Sequence, residues 1–177
     1  MELQKCLEGR RSIRRYKDTP VSKELVREVI AAAQLAPSWK NSQVGRYYVA
    51  MGESKKALEA CLPEFNQNNV KDAPVLIVTT VVNGRSGFNR DGSYVTHLEA
   101  GFQCFDNGLQ VENLCLKAHE LGLGTLIMGL YDNAGVREFF SIPEDQIVVA
   151  VLGLGYPVIE PEMPARKNLD DILVIRD

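Results

Sequence analysis

Residues 75–82 read Val-Leu-Ile-Val-Thr-Thr-Val-Val. Eight residues rich in β-branched side chains predict a strand. Polar residues do not alternate with apolar ones along it, so the strand is expected to be buried on both faces. A strand that shows neither face to water needs cover on both sides.

The rest of the chain offers that cover. Ser22 is a good N-cap, Glu24 favours a first turn, and Leu25, Val26, Val29, Ile30 and Ala33 recur at helical spacing. Pro37 stops this helix at Ala36, because the residue before a proline avoids helical dihedrals. A short helix at the start uses Leu3, Cys6 and Leu7 as its apolar face. Residues 45–51 read as a strand and 54–62 as a short helix ending near Pro63. A long helix is expected over 100–120, with Phe105, Leu109, Val111, Leu114, Ala118 and Leu121 forming a broad apolar stripe. Gly122 is placed to close it as a left-handed residue. Residues 125–128 and 147–155 read as strands around a helix over 133–140.

Residues 83–93 carry glycines, asparagines and an aspartate with little to bury, and read as a loop. Beyond Tyr156, the residues Pro157, Pro161 and Pro164 break regular structure, and 169–175 is an apolar stretch far from the core in sequence. Helices and strands mix without βαβ alternation, which favours a layered α+β fold over a doubly wound sheet. At 177 residues, one domain spanning 1–177 is expected.

Composition narrows the function. A net charge of −3 argues against a general nucleic-acid binder, whose domain is usually basic. The longest apolar run, 73–82, falls short of the roughly 20 residues that span a bilayer. The N-terminus Met1-Glu2-Leu3-Gln4 lacks a signal-peptide pattern. Cys6, Cys61, Cys104 and Cys115 are scattered without a paired motif, which fits reduced thiols and a cytoplasmic location. His97 and His119 sit in no metal motif, so no metal site is expected.

Two glycine pairs invite a dinucleotide-binding reading, Gly122-Leu123-Gly124 and Gly153-Leu154-Gly155. Both fail, because the third small residue of the fingerprint is replaced by Ile127 and Val158. They read instead as a helix cap and a strand-end turn. The basic run Arg10-Arg11-Ser12-Ile13-Arg14-Arg15 is more informative when joined with Arg166-Lys167. Several guanidinium donors with a hydroxyl suit a phosphate monoester, whereas a solvated charged face explains neighbouring arginines equally well in isolation. The segment Ala36-Pro37-Ser38-Trp39-Lys40-Asn41-Ser42-Gln43 combines a helix stop, a hydroxyl, an indole and amides. Such a set offers hydrogen bonds and flat apolar contact to a heteroaromatic ring.

The order Arg-Arg-Ser-Ile-Arg-x-Tyr, Ala-Pro-Ser-x-x-Asn-x-Gln, Leu-Gly-Leu-Gly-Thr and Gly-Tyr-Pro resembles the nitroreductase family of flavoproteins, from Arg10 to Leu173. The resemblance implies a three-layer α-β-α sandwich with a mostly antiparallel central sheet and a C-terminal tail exchanged in a homodimer. It implies FMN at the subunit interface, reduced by NAD(P)H and reoxidised by a small acceptor in a ping-pong cycle. Arg10, Arg11, Ser12 and Arg14 would hold the phosphate, ribityl chain and pyrimidine edge. Pro37, Ser38, Trp39 and Asn41 would reach the flavin from the other subunit, with Gln43 supporting them. Asn66 would be a further contact, Ile127, Met128 and Gly129 would pass the isoalloxazine, and Arg166 and Lys167 would close on the phosphate. No side-chain acid or base is implied. The acceptor could be a nitroaromatic, a quinone, an activated alkene or a free flavin. Flavin cleavage, dehalogenation and non-catalytic FMN binding are the alternatives. The chain departs from the family where Val44-Gly45 follow Gln43 in place of Pro-Trp, and residues 83–94 are short for a substrate lid.

Overall fold

Four strands, β1 (Gly45–Met51), β2 (Val75–Val82), β3 (Gly124–Met128) and β4 (Gln146–Gly155), form one antiparallel sheet in the order β1-β2-β4-β3. The computed structural model describes residues 2–176, so Met1 and Asp177 lie outside the described residues. All of β2 is buried, as its unbroken apolar pattern requires. Its two hydroxyls are satisfied internally, Thr79 with Asn107 and Thr80 with Gln146. A buried polar group left unpaired would be costly, so these two bonds let Thr occupy the sheet's centre.

Six helices complete the layers: α1 (Leu3–Gly9), α2 (Lys23–Gln34), α3 (Glu53–Glu59), α4 (Glu64–Val70), α5 (Gly101–Glu120) and α6 (Asn133–Phe140). Alternate residues of β2 divide between two cores. Val75 and Ile77 pack with Val26, Val29, Ala33, Val111, Leu114 and Ala118 of α2 and α5. Leu76 and Val78 pack with Leu58, Val70 and Val136 of α3, α4 and α6. Each fully buried aliphatic side chain contributes roughly 1.5–3 kcal/mol, and both faces of the sheet gain it. A bulge where Thr79 faces Ala150 but Thr80 faces Val148 places Val148 and Val151 on the same face. The architecture is thus the expected α-β-α sandwich.

Local signals worked as the chemistry predicts. Ser22 caps α2 by accepting from Leu25 N at 3.2 Å, and Asp132 caps α6 by accepting from Ala134 N at 3.1 Å. Gly122 adopts φ +76° just past α5. Three expectations need correction. The helix α4 arises over Glu64–Val70, where polar Asn and Gln residues hide the pattern and only Asn66 and Val70 are buried. In α1 only Cys6 is buried, and Leu3 and Leu7 face outward. On α5 the face buried by the chain includes Gln103, Asp106, Asn107 and Gln110, while Phe105 of the supposed apolar stripe is exposed. Residues 83–93 hold no helix or strand, as the loop reading expects, and Phe88 and Tyr94 form an isolated antiparallel bridge with their rings 5.0 Å apart. Among the described residues, no helix is long and apolar enough to cross a membrane.

Candidate functional site

The basic run is seated by the two glycine segments. Ser12 forms a parallel bridge with Thr125, and Ile13 N donates to Thr125 O at 2.8 Å, so the run lies along the outer edge of β3. Tyr16 pairs with Pro157, Lys17 N donates to Tyr156 O at 2.8 Å, and Val158 N donates to Arg15 O at 3.0 Å. The glycines are there for close approach. A Cβ on Gly155 would fall 2.6 Å from Pro74 Cδ and 3.0 Å from Tyr16 Cδ1. Gly155 therefore ends a strand packed too tightly for any side chain, which corrects the reading of a simple strand-end turn. Buried Tyr16 donates to Ile13 O at 2.8 Å, and burial holds its hydroxyl far above the ordinary tyrosine range.

Seated this way, Arg10, Arg11, Ser12 and Arg14 line one cleft of about 300 Å³ with Arg166. Pro161, Glu162 and Pro164 form the rest of its wall. Each guanidinium carries five N–H donors, and few are used. Arg11 Nη1 donates to Arg10 O at 2.7 Å, and Arg166 Nη1 donates to Pro164 O at 3.0 Å. Arg10 Nε pairs with Glu112 at 3.5 Å. Arg11 Nε is buried with no hydrogen-bond partner among the described residues. Four cations with spare donors and one carboxylate give this cleft a net positive lining on a chain of net charge −3. Lys167 is exposed and is not part of the wall.

Further along β3 the geometry changes. Thr125 turns its carbonyl outward to Ile13, so by alternation Ile127 and Gly129 also direct backbone groups to the outer edge. Ile127 is 50% exposed, whereas the Met128 side chain is sunk in the core. By the same alternation the Met128 backbone faces Val151 of β4, so neither its side chain nor its backbone is turned to the outer edge. Asn66, buried at the start of α4, donates through Nδ2 to Leu130 O at 3.1 Å and fixes the chain as it leaves β3.

The Pro37–Asn41 group lies elsewhere. It precedes β1, and β1 and β3 are opposite edges of the sheet. Three inter-strand spacings, roughly 14 Å, separate those edges. One chain therefore does not bring Ser38, Trp39 and Asn41 onto the arginine cleft. This loop is unusual in its own right: Lys40, Asn41 and Gln43 all adopt left-handed φ, at 47°, 55° and 47°. For residues with a Cβ that conformation costs roughly 1–2 kcal/mol each, least for Asn. Ser38 Oγ accepts from Gln43 N at 3.0 Å, and the Trp39 ring meets Phe102 edge-on at 5.0 Å. Trp39 N donates to Asp106 Oδ2 at 3.0 Å. Asp106 was invisible as a site residue in the sequence, because an aspartate inside an apolar-looking helix reads as its solvent face.

Two titratable groups lie close behind the basic run. Burial raises the Cys115 thiol to about 11, against a smaller opposing effect from its hydrogen bond with Thr125. Burial also lowers His119, whose Nε2 sits where a Cβ on Gly9 would fall 2.4 Å away. Among the described residues, no group of His, Cys, Asp or Glu could hold a metal ion.

Comparison with known proteins supports the same reading. A provisional NADH dehydrogenase/NAD(P)H nitroreductase of Methanothermobacter thermautotrophicus is 33% identical, over 97% of this chain and 84% of its own length. A nitroreductase family protein of Streptococcus pneumoniae superposes with a TM-score of 0.85 at 21% identity, covering 99% of this chain and all of its own. A provisional nitroreductase of Exiguobacterium sibiricum, solved in complex with FMN, superposes with a TM-score of 0.84 at 25% identity, covering 99% of this chain and 98% of its own. Residues 7–156 match the profile of the Nitroreductase family, and the chain belongs to that family.

Proposed function

We propose that this protein is an FMN-dependent NAD(P)H oxidoreductase acting by a ping-pong cycle on small acceptors such as nitroaromatics or quinones. The observation that carries the reading is the cleft where Arg10, Arg11, Ser12, Arg14 and Arg166 converge. Its donor set matches a phosphate monoester in charge and in number of acceptor oxygens. The buried Arg11 Nε, without a hydrogen-bond partner among the described residues, is the kind of donor that a bound phosphate satisfies.

FMN, when bound, would supply the redox chemistry of hydride and electron transfer between NAD(P)H and the acceptor. The chain's own residues bind and orient. Arg10, Arg11, Arg166 and Ser12 would hold the phosphate end, with Lys167 beside the cleft and outside its wall. From Thr125 to Gly129 the open edge of β3 runs roughly 13 Å, enough to follow a ribityl chain to the ring. Backbone N–H groups at Ile127 and Gly129 would meet a ring edge, while Asn66 keeps Leu130 and the strand exit in place. Arg14, exposed and donating to Ser12 O at 3.5 Å, would stabilise negative charge at the pyrimidine edge of a reduced flavin.

The loop of Pro37, Ser38, Trp39 and Asn41 completes the site from a second copy of the chain. The two groups lie at opposite sheet edges of one chain, and a two-fold dimer that holds both in its interface would join them, since residue i of one subunit then contacts residue j of the other and j contacts i. The exposed apolar residues Leu169, Ile172, Leu173, Val174 and Ile175 suit a tail exchanged with that partner. The whole chain acts as one domain in this arrangement.

Anaerobic addition of NADH or NADPH to the FMN-loaded protein tests the proposal. Bleaching of the flavin's visible band, reversed by an acceptor, is the expected result. FMN uptake without bleaching identifies a binding protein instead, and failure to take up FMN removes the proposal altogether. A flavin-loaded monomer in sedimentation contradicts the shared site.

A further inference from the structure

Two separate surface segments hang from one buried carboxylate. Asp106, 1% exposed on the inner face of α5, accepts at Oδ2 from Trp39 N at 3.0 Å and from Ser86 Oγ at 2.6 Å, with Ser42 Oγ at 3.5 Å. One turn earlier on the same helix face, Phe102 holds the same two segments by packing. The Trp39 ring meets it edge-on, and a Cβ on Gly87 would fall 2.9 Å from Phe102 Cβ. Gly87 itself adopts φ +80°, open only to a residue without a side chain.

The geometry points to Asp106 as a positioning residue: a clasp that fixes the Trp39 loop and ties it to the Ser86-Gly87 turn. Left-handed Lys40, Asn41 and Gln43 need such a clasp, since strained backbone persists only where its surroundings over-determine it. A single oxygen shared by donors from both segments makes their positions interdependent. The turn at Ser86-Gly87 opens the Phe88–Tyr94 hairpin, the nearest thing this chain has to a substrate lid. Asp106 therefore couples the loop proposed to contact FMN with the turn that opens the 88–94 segment, and this coupling rests on the flavin reading above.

The clasp has a probe that does not depend on flavin, because Trp39 is the chain's one tryptophan. We expect Asp106→Ala and Asp106→Leu in the FMN-free full chain to red-shift Trp39 emission and raise its acrylamide quenching constant at least twofold. Asp106→Asn should recover most of the wild-type value, since its amide oxygen still accepts from Trp39 N–H. Leu fills similar space without an acceptor, so equal recovery by Leu and Asn would overturn the clasp. Ser86→Ala, remote from Trp39 in sequence, should shift quenching in the same direction by less. If Asp106→Ala fails to fold, Asp106→Asn and Ser86→Ala decide the matter, and unchanged quenching in both overturns it. In the flavin arm, Asp106→Leu should weaken FMN binding about tenfold. Altered quenching with wild-type FMN affinity overturns the coupling to flavin. A wild-type protein that takes up no FMN removes the functional reading, while the fluorescence arm still judges the clasp.

Discussion

Gly124 lies against the side chain of Ile13 so closely that a Cβ at position 124 would fall 2.3 Å from Ile13 Cγ1 and 2.9 Å from Ile13 Cβ. Ile13 Cβ is fixed to the backbone and cannot swing aside, so a methyl group at 124 must push the whole basic segment off β3.

Gly124→Ala should therefore destabilise the fold by about 1–3 kcal/mol, the usual range for overpacking. It should also weaken FMN binding, because Arg10, Arg11, Ser12 and Arg14 move with Ile13. Gly122 supplies the control. A Cβ there meets nothing, yet φ is +76°, so Gly122→Ala should lose roughly 1–2 kcal/mol through backbone strain alone. Urea titrations should find both variants weakened, with only Gly124→Ala losing FMN affinity. Equal FMN affinities would mean that the seating of Ile13 does not set the cleft.

Charge reversal separates the cleft's cations. Arg166→Glu should reduce FMN affinity about ten- to a hundredfold, since a hydrogen bond to a charged group is worth roughly 1.5–3 kcal/mol. Arg10→Glu should do the same, with a small further effect from the Glu112 contact at 3.5 Å. Lys167 lies outside the cleft wall, so Lys167→Glu should weaken binding much less. Fluorescence titration with FMN gives all three constants. A loss at Lys167 as large as at Arg166 would show that the tail rearranges around the phosphate.

Asn66 is a structural tie as well as a site candidate. Asn66→Ala would leave the Leu130 carbonyl without its donor, at about 1–3 kcal/mol. Asn66→Asp should be worse, because a carboxylate oxygen would then face a carbonyl oxygen. The order Asn, Ala, Asp in thermal midpoint is the expected outcome, and a more stable Asp variant would contradict the assigned hydrogen bond.

The layers and the arginine cleft were legible in the sequence for a physical reason. Burial on both faces leaves an unbroken apolar run at 75–82, and the arginines that line the cleft stand out on an acidic chain. What stayed hidden was interaction at a distance. Asp106, Gln103 and Gln110 look like solvent-facing residues, and only the fold brings Trp39, Asn83, Gly84 and Tyr47 to them. The helix over Glu64–Val70 escaped because two buried residues in seven give no periodic signal. The glycines at 124 and 155 were seen, but not their purpose, since the side chains that exclude a Cβ there come from Ile13, Tyr16 and Pro74.

Cys115 makes stability depend on alkaline pH. Burial raises its thiol to about 11 from an ordinary value of 9.0, so the folded chain holds this proton over a range where the unfolded chain releases it. With more protons bound when folded, stability falls as pH rises. The contribution is complete below pH 9 and is lost progressively up to about pH 11. A shift of this size corresponds to roughly 2–3 kcal/mol. Cys115→Ala removes the titrating group and leaves a cavity whose cost does not vary with pH. The stability difference between wild type and Cys115→Ala should therefore be constant below pH 9 and shrink above it. Tyr47, raised by burial to about 12, titrates in both proteins and cancels in the comparison. Urea unfolding at several pH values between 7 and 11 measures the difference, and parallel curves across that whole range would mean the thiol is open to water.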